Sequence, residues 1–302
     1  MLAKNALATL LSRLPALSLT FFASKLAPTV CVGAHWGLAL GGYFKAGSGC
    51  AIFPSPCQVF FMSLRVCILE TDILRPALID EYQGYGQMFK RLFAKQPIAA
   101  EFVVYNVVQG EYPPDDEVFD AYLITGSKAD SFGTDPWIQT LKTYLLTRYE
   151  RGDKLLGVCF GHQLLALLLG GKAERASQGW GMGTHDYKLD AKAPWMSPEV
   201  PELRMLISHQ DQVTTLPDNA TVIASSEFCP FAAYHIGDQV LCFQGHPEFV
   251  HDYSRELLEI LQTTLGEKVY SNGVASLERD HHGVTVAEWM MRFVAHQPEA
   301  KA

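Results

Sequence analysis

Two short segments of the 302-residue chain carry side chains that can do chemistry together. The first is Gly157-Val158-Cys159-Phe160-Gly161-His162-Gln163, set between an apolar run over 154–159 and another over 161–169. A cysteine with a glycine two residues to either side, between a strand and a helix, has the form of a nucleophile elbow. The tight turn lifts the sulfur off the sheet, and small flanking residues keep that turn free of clashes. A helix N-terminus favours thiolate over thiol, and the Phe160 N–H points toward an oxyanion formed on an attacked carbonyl. On this reading Cys159 sits on an exposed turn.

The second segment is Gln244-Gly245-His246-Pro247-Glu248, directly after the apolar run 240–243. A cysteine nucleophile needs a base, and the base needs an orienting group. His246 and Glu248 are two apart and share a face if the chain is extended, with Pro247 restricting the backbone between them. Each motif alone has a plain structural explanation, a buried cysteine in a glycine-flanked turn or a surface loop. Together, 87 residues apart from Cys159 to His246, they point to a cysteine nucleophile with its base and orienting group, attacking a carbonyl as an amidase does. The H-P-E segment is expected at a strand end outside the core.

The elements that must position these groups alternate short apolar runs with helical stretches. Strands are expected at 64–69, 101–108, 121–125 and 154–159, and helices at 85–94, 136–152 and 161–169. Pro136 takes a first-turn position where its missing N–H costs nothing, and Gly170-Gly171 closes the helix after Cys159. Strands of this length between helices argue for βαβ units and a doubly wound sheet. Beyond residue 172 shorter β segments are expected at 184–188, 203–207, 221–224, 232–235 and 240–244. Helices are then expected at 252–265 and 286–296. One domain over 62–265, with a loop and helix of 266–302 packed on it, is the simplest organisation. The pair His281-His282 reads as a solvated polar loop.

Apolar residues make up 48% and charged residues 19%, a balance that supports a full core. A net charge of −8 leaves no basic footprint for nucleic acid. Residues 1–61 stand apart: Lys4, Arg13, Lys25 and Lys45 face no acidic residue. They read as an upstream extension before a start at Met62, or as a targeting segment. Arg13 and Pro15 interrupt the apolar run there, so no membrane-spanning helix is expected. Seven cysteines without a C-x-x-C pair read as reduced thiols in a cytoplasmic compartment. His209 and Asp211 lack a third ligand at workable spacing, Gly179–Gly183 is not G-x-G-x-x-G, and 169–172 lacks Walker spacing. No metal and no cofactor are expected.

With the elbow and H-P-E in place, the chain over about 64–260 resembles the class I (triad) glutamine amidotransferases, closest to GMP-synthase-like members. Further matching segments are Ile124-Thr125-Gly126-Ser127, the run from Asp130 to Trp137, and Ser208-His209-Gln210-Asp211-Gln212-Val213. The resemblance implies a flavodoxin-like α/β fold and hydrolysis of the glutamine amide to glutamate and ammonia. Cys159 would attack, His246 would shuttle the proton and Glu248 would orient His246. It also implies a second oxyanion donor in the Gly126–Ser127 turn, with Ser127-Lys128 departing from the Gly or Gly-Pro of many relatives. Gln163, Gln210, Asp211, Gln212 and Val213 match positions that hold the substrate's α-amino and carboxylate groups. No synthetase module resembles any part of the chain. The implied partner is therefore a separate synthetase subunit as ammonia acceptor, or none. In the latter case the segment from Ser127 to Trp137 resembles stand-alone γ-glutamyl peptidases. A binding protein on the same scaffold is the third reading.

Overall fold

A computed structural model describes residues 63–297, so the expectations for 1–61 lie outside the described residues. The chain begins with β1 (Leu64–Glu70), α1 (Pro76–Tyr82), α2 (Tyr85–Phe93), β2 (Ala100–Asn106), β3 (Ala121–Ile124), α3 (Pro136–Glu150), β4 (Lys154–Val158) and α4 (Phe160–Leu168). It continues through β5 (Lys172–Arg175), β6 (Gly181–Leu189), β7 (Leu203–His209), β8 (Asp211–Thr215), β9 (Thr221–Ser225), β10 (Ala233–Ile236) and β11 (Val240–Phe243). Three helices follow, α5 (His251–Leu265), α6 (Glu267–Ser276) and α7 (Gly283–Ala295).

In β1, Val66 and Ile68 enter one apolar cluster while Cys67 and Leu69 enter another. A strand apolar on both faces belongs inside a parallel sheet covered by helices on each side. That is where β1 lies: β2, β1, β3, β4 and β11 are neighbours in this order and all parallel. α3 and α4 cover one face through Ile138, Leu141 and Leu164. α2 and α7 cover the other through Phe89, Trp289, Met290 and Phe293. The order of the first four is that of a flavodoxin-like sheet, whose sites lie beyond the carboxyl ends of the strands. β10, β9, β6 and β7 continue the sheet with antiparallel pairings, and β5 pairs with β8 in a small separate sheet.

Local expectations and structure part in specific places. The strand expected to reach residue 108 stops at Asn106, where its side chain accepts from the Gln109 N–H and turns the chain into a short 3-10 helix. α1 and α6 were not anticipated; both are short, and α6 contains Gly273. Gly273 is needed for packing, since a Cβ there would lie 2.7 Å from Leu258. The His281-His282 pair is not a solvated loop. The His282 Nδ1 accepts from the Arg204 N–H at 2.9 Å, and the His281 ring meets His251 edge-on. Burial pushes His281 down to about 4, because its cation would lose water and face His251 and His282. α7 is anchored by Trp289, which has no exposed surface and donates to the Pro198 carbonyl at 2.9 Å. Removing such a ring costs about 3–5 kcal/mol. Among the described residues, no helix is long and apolar enough to cross a membrane.

Candidate active site

Four strand ends converge on one cleft. β4 runs into the turn at Cys159, whose φ of 51° and ψ of −98° are rare for a side-chain-bearing residue. Such strain persists only where surrounding structure over-determines it. The flanking glycines make it reachable: a Cβ on Gly157 would lie 2.7 Å from the Gly161 backbone, and one on Gly161 2.5 Å from the Ile124 carbonyl oxygen. The Cys159 N–H donates to Phe243 O at 2.9 Å, tying the elbow to the end of β11. Phe160, the first residue of α4, has no intrahelical acceptor for its N–H. The turn is not exposed as expected. Cys159 is 5% exposed and is reached through the cleft, which it lines.

β11 leads into Gln244–Glu248. The His246 N–H donates to Leu206 O at 2.8 Å, holding this segment against β7. Nδ1 of His246 lies 2.7 Å from Glu248 Oε1, leaving Nε2 as the ring nitrogen for Cys159. The Phe249 ring stacks on the imidazole at 3.9 Å and 13°, which fixes its plane. Burial by itself would depress the basicity of His246. The charges of Glu248 and Cys159, with hydrogen bonds to both, outweigh it and push His246 up to about 10. The site therefore holds an imidazolium between a carboxylate and a sulfur. The Glu248 side chain has no exposed surface, so the H-P-E segment belongs to the core and not to its edge.

β3 ends at the loop Gly126-Ser127-Lys128, close enough to His246 that a Cβ on Gly126 would lie 2.6 Å from its Cε1. Thr71, just past β1, donates from Oγ1 to the Gly126 carbonyl at 2.8 Å. Asp72 accepts the Lys128 N–H at 3.1 Å and pairs with its ammonium. The loop is pinned on both sides, and Ser127 lines the cleft with Cys159. Sequence reasoning missed Thr71, Asp72 and Phe249. The first two could have been found as polar residues directly after the first parallel strand, where such folds place ligands.

The cleft measures about 280 Å³. Gln163, Gln210 and Asp211 line it. Gln163 donates to Asp211 O at 2.8 Å, and Arg175 bridges Asp211 and Asp130. Two of the anticipated residues turn elsewhere: Val213 enters the core, and Gln212 donates to Phe228 O at 2.9 Å. The pairing of β8 with β5 sets which side chains of this segment face inward. His209, considered above only as half of a metal pair, lines the cleft with its Nδ1 3.1 Å from Asp211 O. Burial pushes it down to about 3, so it is neutral. Leu74, Leu78, Leu257 and Leu261, which belong to one apolar cluster with Trp180 packed against it, also line the cleft, as does Arg75. Among the described residues, no cluster of three or more metal-ligating side chains occurs.

A sulfur at a helix N-terminus, a cationic imidazole and two backbone donors can together open an amide through an acyl-enzyme. The sequence model described as "Glutamine amidotransferase class-I" matches residues 77–263. Gamma-glutamyl peptidase 3 of Arabidopsis thaliana is 34% identical over 197 residues, covering 62% of this chain and 77% of that protein. A GMP synthase (glutamine-hydrolyzing) of Streptococcus equi is 28% identical over 201 residues, 62% of this chain but 36% of that protein. The crystal structure of a glutamine amidotransferase from Thermotoga maritima superposes with a TM-score of 0.63 at 19% identity, covering 77% of this chain and 99% of that one.

Proposed function

The chain belongs to the class-I glutamine amidotransferase family, and on that premise we propose that it hydrolyses a γ-glutamyl amide through Cys159, His246 and Glu248. The Cys159 sulfur attacks the γ-carbonyl carbon, and the oxygen takes its negative charge against the N–H groups of Phe160 and Ser127. His246 gives its Nε2 proton to the departing nitrogen, leaving a γ-glutamyl thioester. Water then adds to the thioester, losing a proton to His246, and glutamate leaves as the sulfur is restored. Glu248 holds the imidazole orientation and stabilises its cation. Gln163, Gln210 and Asp211 hold the α-amino and α-carboxylate groups; the side chains of Gln212 and Val213 take no part.

The carrying observation is the 2.7 Å contact of His246 with a fully buried Glu248, beside a cysteine held in a strained elbow. The test is turnover of glutamine and of a γ-glutamyl dipeptide by purified protein, with mass spectrometry of the quenched reaction. A γ-glutamyl adduct on Cys159 is expected; hydrolysis without an adduct, undiminished by Cys159→Ala, would overturn the assignment.

The cleft itself favours a second form of this reading, a stand-alone γ-glutamyl peptidase. Ammonia needs no apolar surface, yet Leu74, Leu78, Trp180, Leu257 and Leu261 supply one in the cleft, and Arg75, also in its lining, is a cation that can meet a carboxylate. A leaving group larger than ammonia fits that surface. The other form is a glutaminase subunit feeding a separate synthetase; activity on glutamine that appears only when cell extract is added would select it. The four described cysteines are unpaired, which supports a reducing, cytoplasmic setting.

A further inference from the structure

Thr71 and Thr125 are the residues that follow β1 and β3, which pair in parallel up to Leu69 and Ile124. Both are fully buried, and neither lines the catalytic cleft. The Thr71 Oγ1 donates to the Gly126 carbonyl at 2.8 Å, and the Thr125 Oγ1 lies 3.2 Å from the same oxygen. The two threonines are joined by the Thr71 N–H, which donates to Thr125 Oγ1 at 3.0 Å. The Thr125 carbonyl in turn accepts the Gly161 N–H at 3.2 Å, two residues after Cys159. Two buried hydroxyls thus converge on one carbonyl of the loop.

That carbonyl belongs to the same peptide group as the Ser127 N–H. The peptide is trans, and in a planar trans peptide the C=O and N–H point in opposite directions. Holding the oxygen against the threonines therefore turns the N–H away from them. Ser127 lines the cleft, and among the described residues its N–H has no acceptor. The next two N–H groups are engaged, Lys128 with Asp72 Oδ2 and Ala129 with Ser127 Oγ, each at 3.1 Å. The Gly126 N–H is free as well, but Gly126 does not line the cleft. We infer that Thr71, supported by Thr125, is a positioning residue for turnover: it locks the Gly126–Ser127 peptide with its N–H presented to the oxyanion formed on the γ-carbonyl. A donor fixed in advance costs no reorganisation when the charge develops. Thr71 acts only through Ser127 and touches no substrate. The role rests on the hydrolysis proposed above, whose oxyanion it serves.

The test compares Thr71→Val, which keeps the shape and removes the hydroxyl, with Thr71→Ser, which keeps the hydroxyl. Full-length variants are assayed on glutamine and on a γ-glutamyl dipeptide, with thermal unfolding to show that each is folded. Thr71→Val should lower kcat about 10–100-fold with KM little changed, less than outright removal of an oxyanion donor. Thr71→Ser should restore most of the loss. Alkylation of Cys159 by iodoacetamide, in which the sulfur displaces iodide and no oxyanion forms, should proceed at the wild-type rate in both. If the valine variant does not fold, Thr71→Ala, which relieves any crowding, carries the same expectation. A wild-type kcat in a folded variant without the hydroxyl overturns the inference, as does a serine variant as impaired as the valine one. An alkylation rate that falls in step with kcat also overturns it, because the defect then lies at the nucleophile and not in the oxyanion hole. Absence of turnover in the wild type is a different failure: it removes the proposed hydrolysis, and the role of Thr71 with it.

Discussion

Cys159 and Cys242 lie at neighbouring strand ends, and neither has more than 5% of its surface exposed. β4 and β11 run side by side so closely that a Cβ on Gly157 would lie 2.9 Å from the Cys242 sulfur. Cys242 faces an apolar cluster, and burial pushes its thiol up to about 12. Cys159 is almost as buried but sits at a helix N-terminus, beside an imidazolium, on the wall of a cleft. Burial alone makes a cysteine a small hydrophobe. A nearby cation and a route for a substrate are what separate a nucleophile from its neighbour.

The largest expected break in that contrast is between two alanine substitutions. Cys159→Ala should lower kcat by about 10³-fold or more, whereas Cys242→Ala should leave kcat near wild type and cost stability, about 1–2 kcal/mol for the lost packing. Steady-state kinetics and urea unfolding on both variants check this; equal loss of turnover in the two would end the distinction. Glu248→Gln comes next. It keeps shape and removes charge, so kcat should fall by about 10²–10⁴-fold with KM little changed. Because the side chain is fully buried, the new amide N–H₂ also lacks an acceptor, and stability should drop by about 1–3 kcal/mol.

Labelling sharpens the comparison without mutating either cysteine. At neutral pH a small electrophile should modify Cys159 at least about tenfold faster than Cys67, Cys229 or Cys242, and replacing His246 should shrink that margin. Peptide mapping reads it directly, and first labelling of Cys242 would contradict it. The smallest effect is the pH dependence of stability. His246 rises from an ordinary 6.5 to about 10 on folding, so its contribution is complete below about 6.5 and is lost as pH rises through about 10. Between those limits the thermal midpoint of wild type should fall by a few degrees more than that of His246→Asn.

How much of this was legible beforehand depends on how far apart the deciding atoms lie in the chain. The elbow was legible because its parts stand within five residues: Gly157 is required by the Gly161 backbone across the turn, even though Gly161 itself answers to Ile124 on β3, and the apolar runs around it are dictated by burial on both sheet faces. The pairing of His246 with Glu248 was legible from their spacing, but a turn over Pro247 and Glu248, not the extended chain expected, brings the two side chains together. Short elements such as α1 and α6 were not, since their helicity comes from packing on α5, β6 and α2 and not from period or propensity.

The sequence by itself determined which residues could act: a cysteine in a glycine-flanked turn, a histidine with a carboxylate two residues on, and the strands that carry them. Tertiary structure alone decided what those residues experience. The clamp of Thr71 on Gly126 spans 55 residues, and the burial of Glu248 depends on segments far from it in the chain. Alternation along β8 turns Gln212 away from the face that Asp211 presents to the cleft, while Val213, two residues further on that face, enters the core. Burial, charge and hydrogen bonding at a site are sums over neighbours in space, and a strand's side chains alternate faces, so one residue of register decides which of them reaches the substrate.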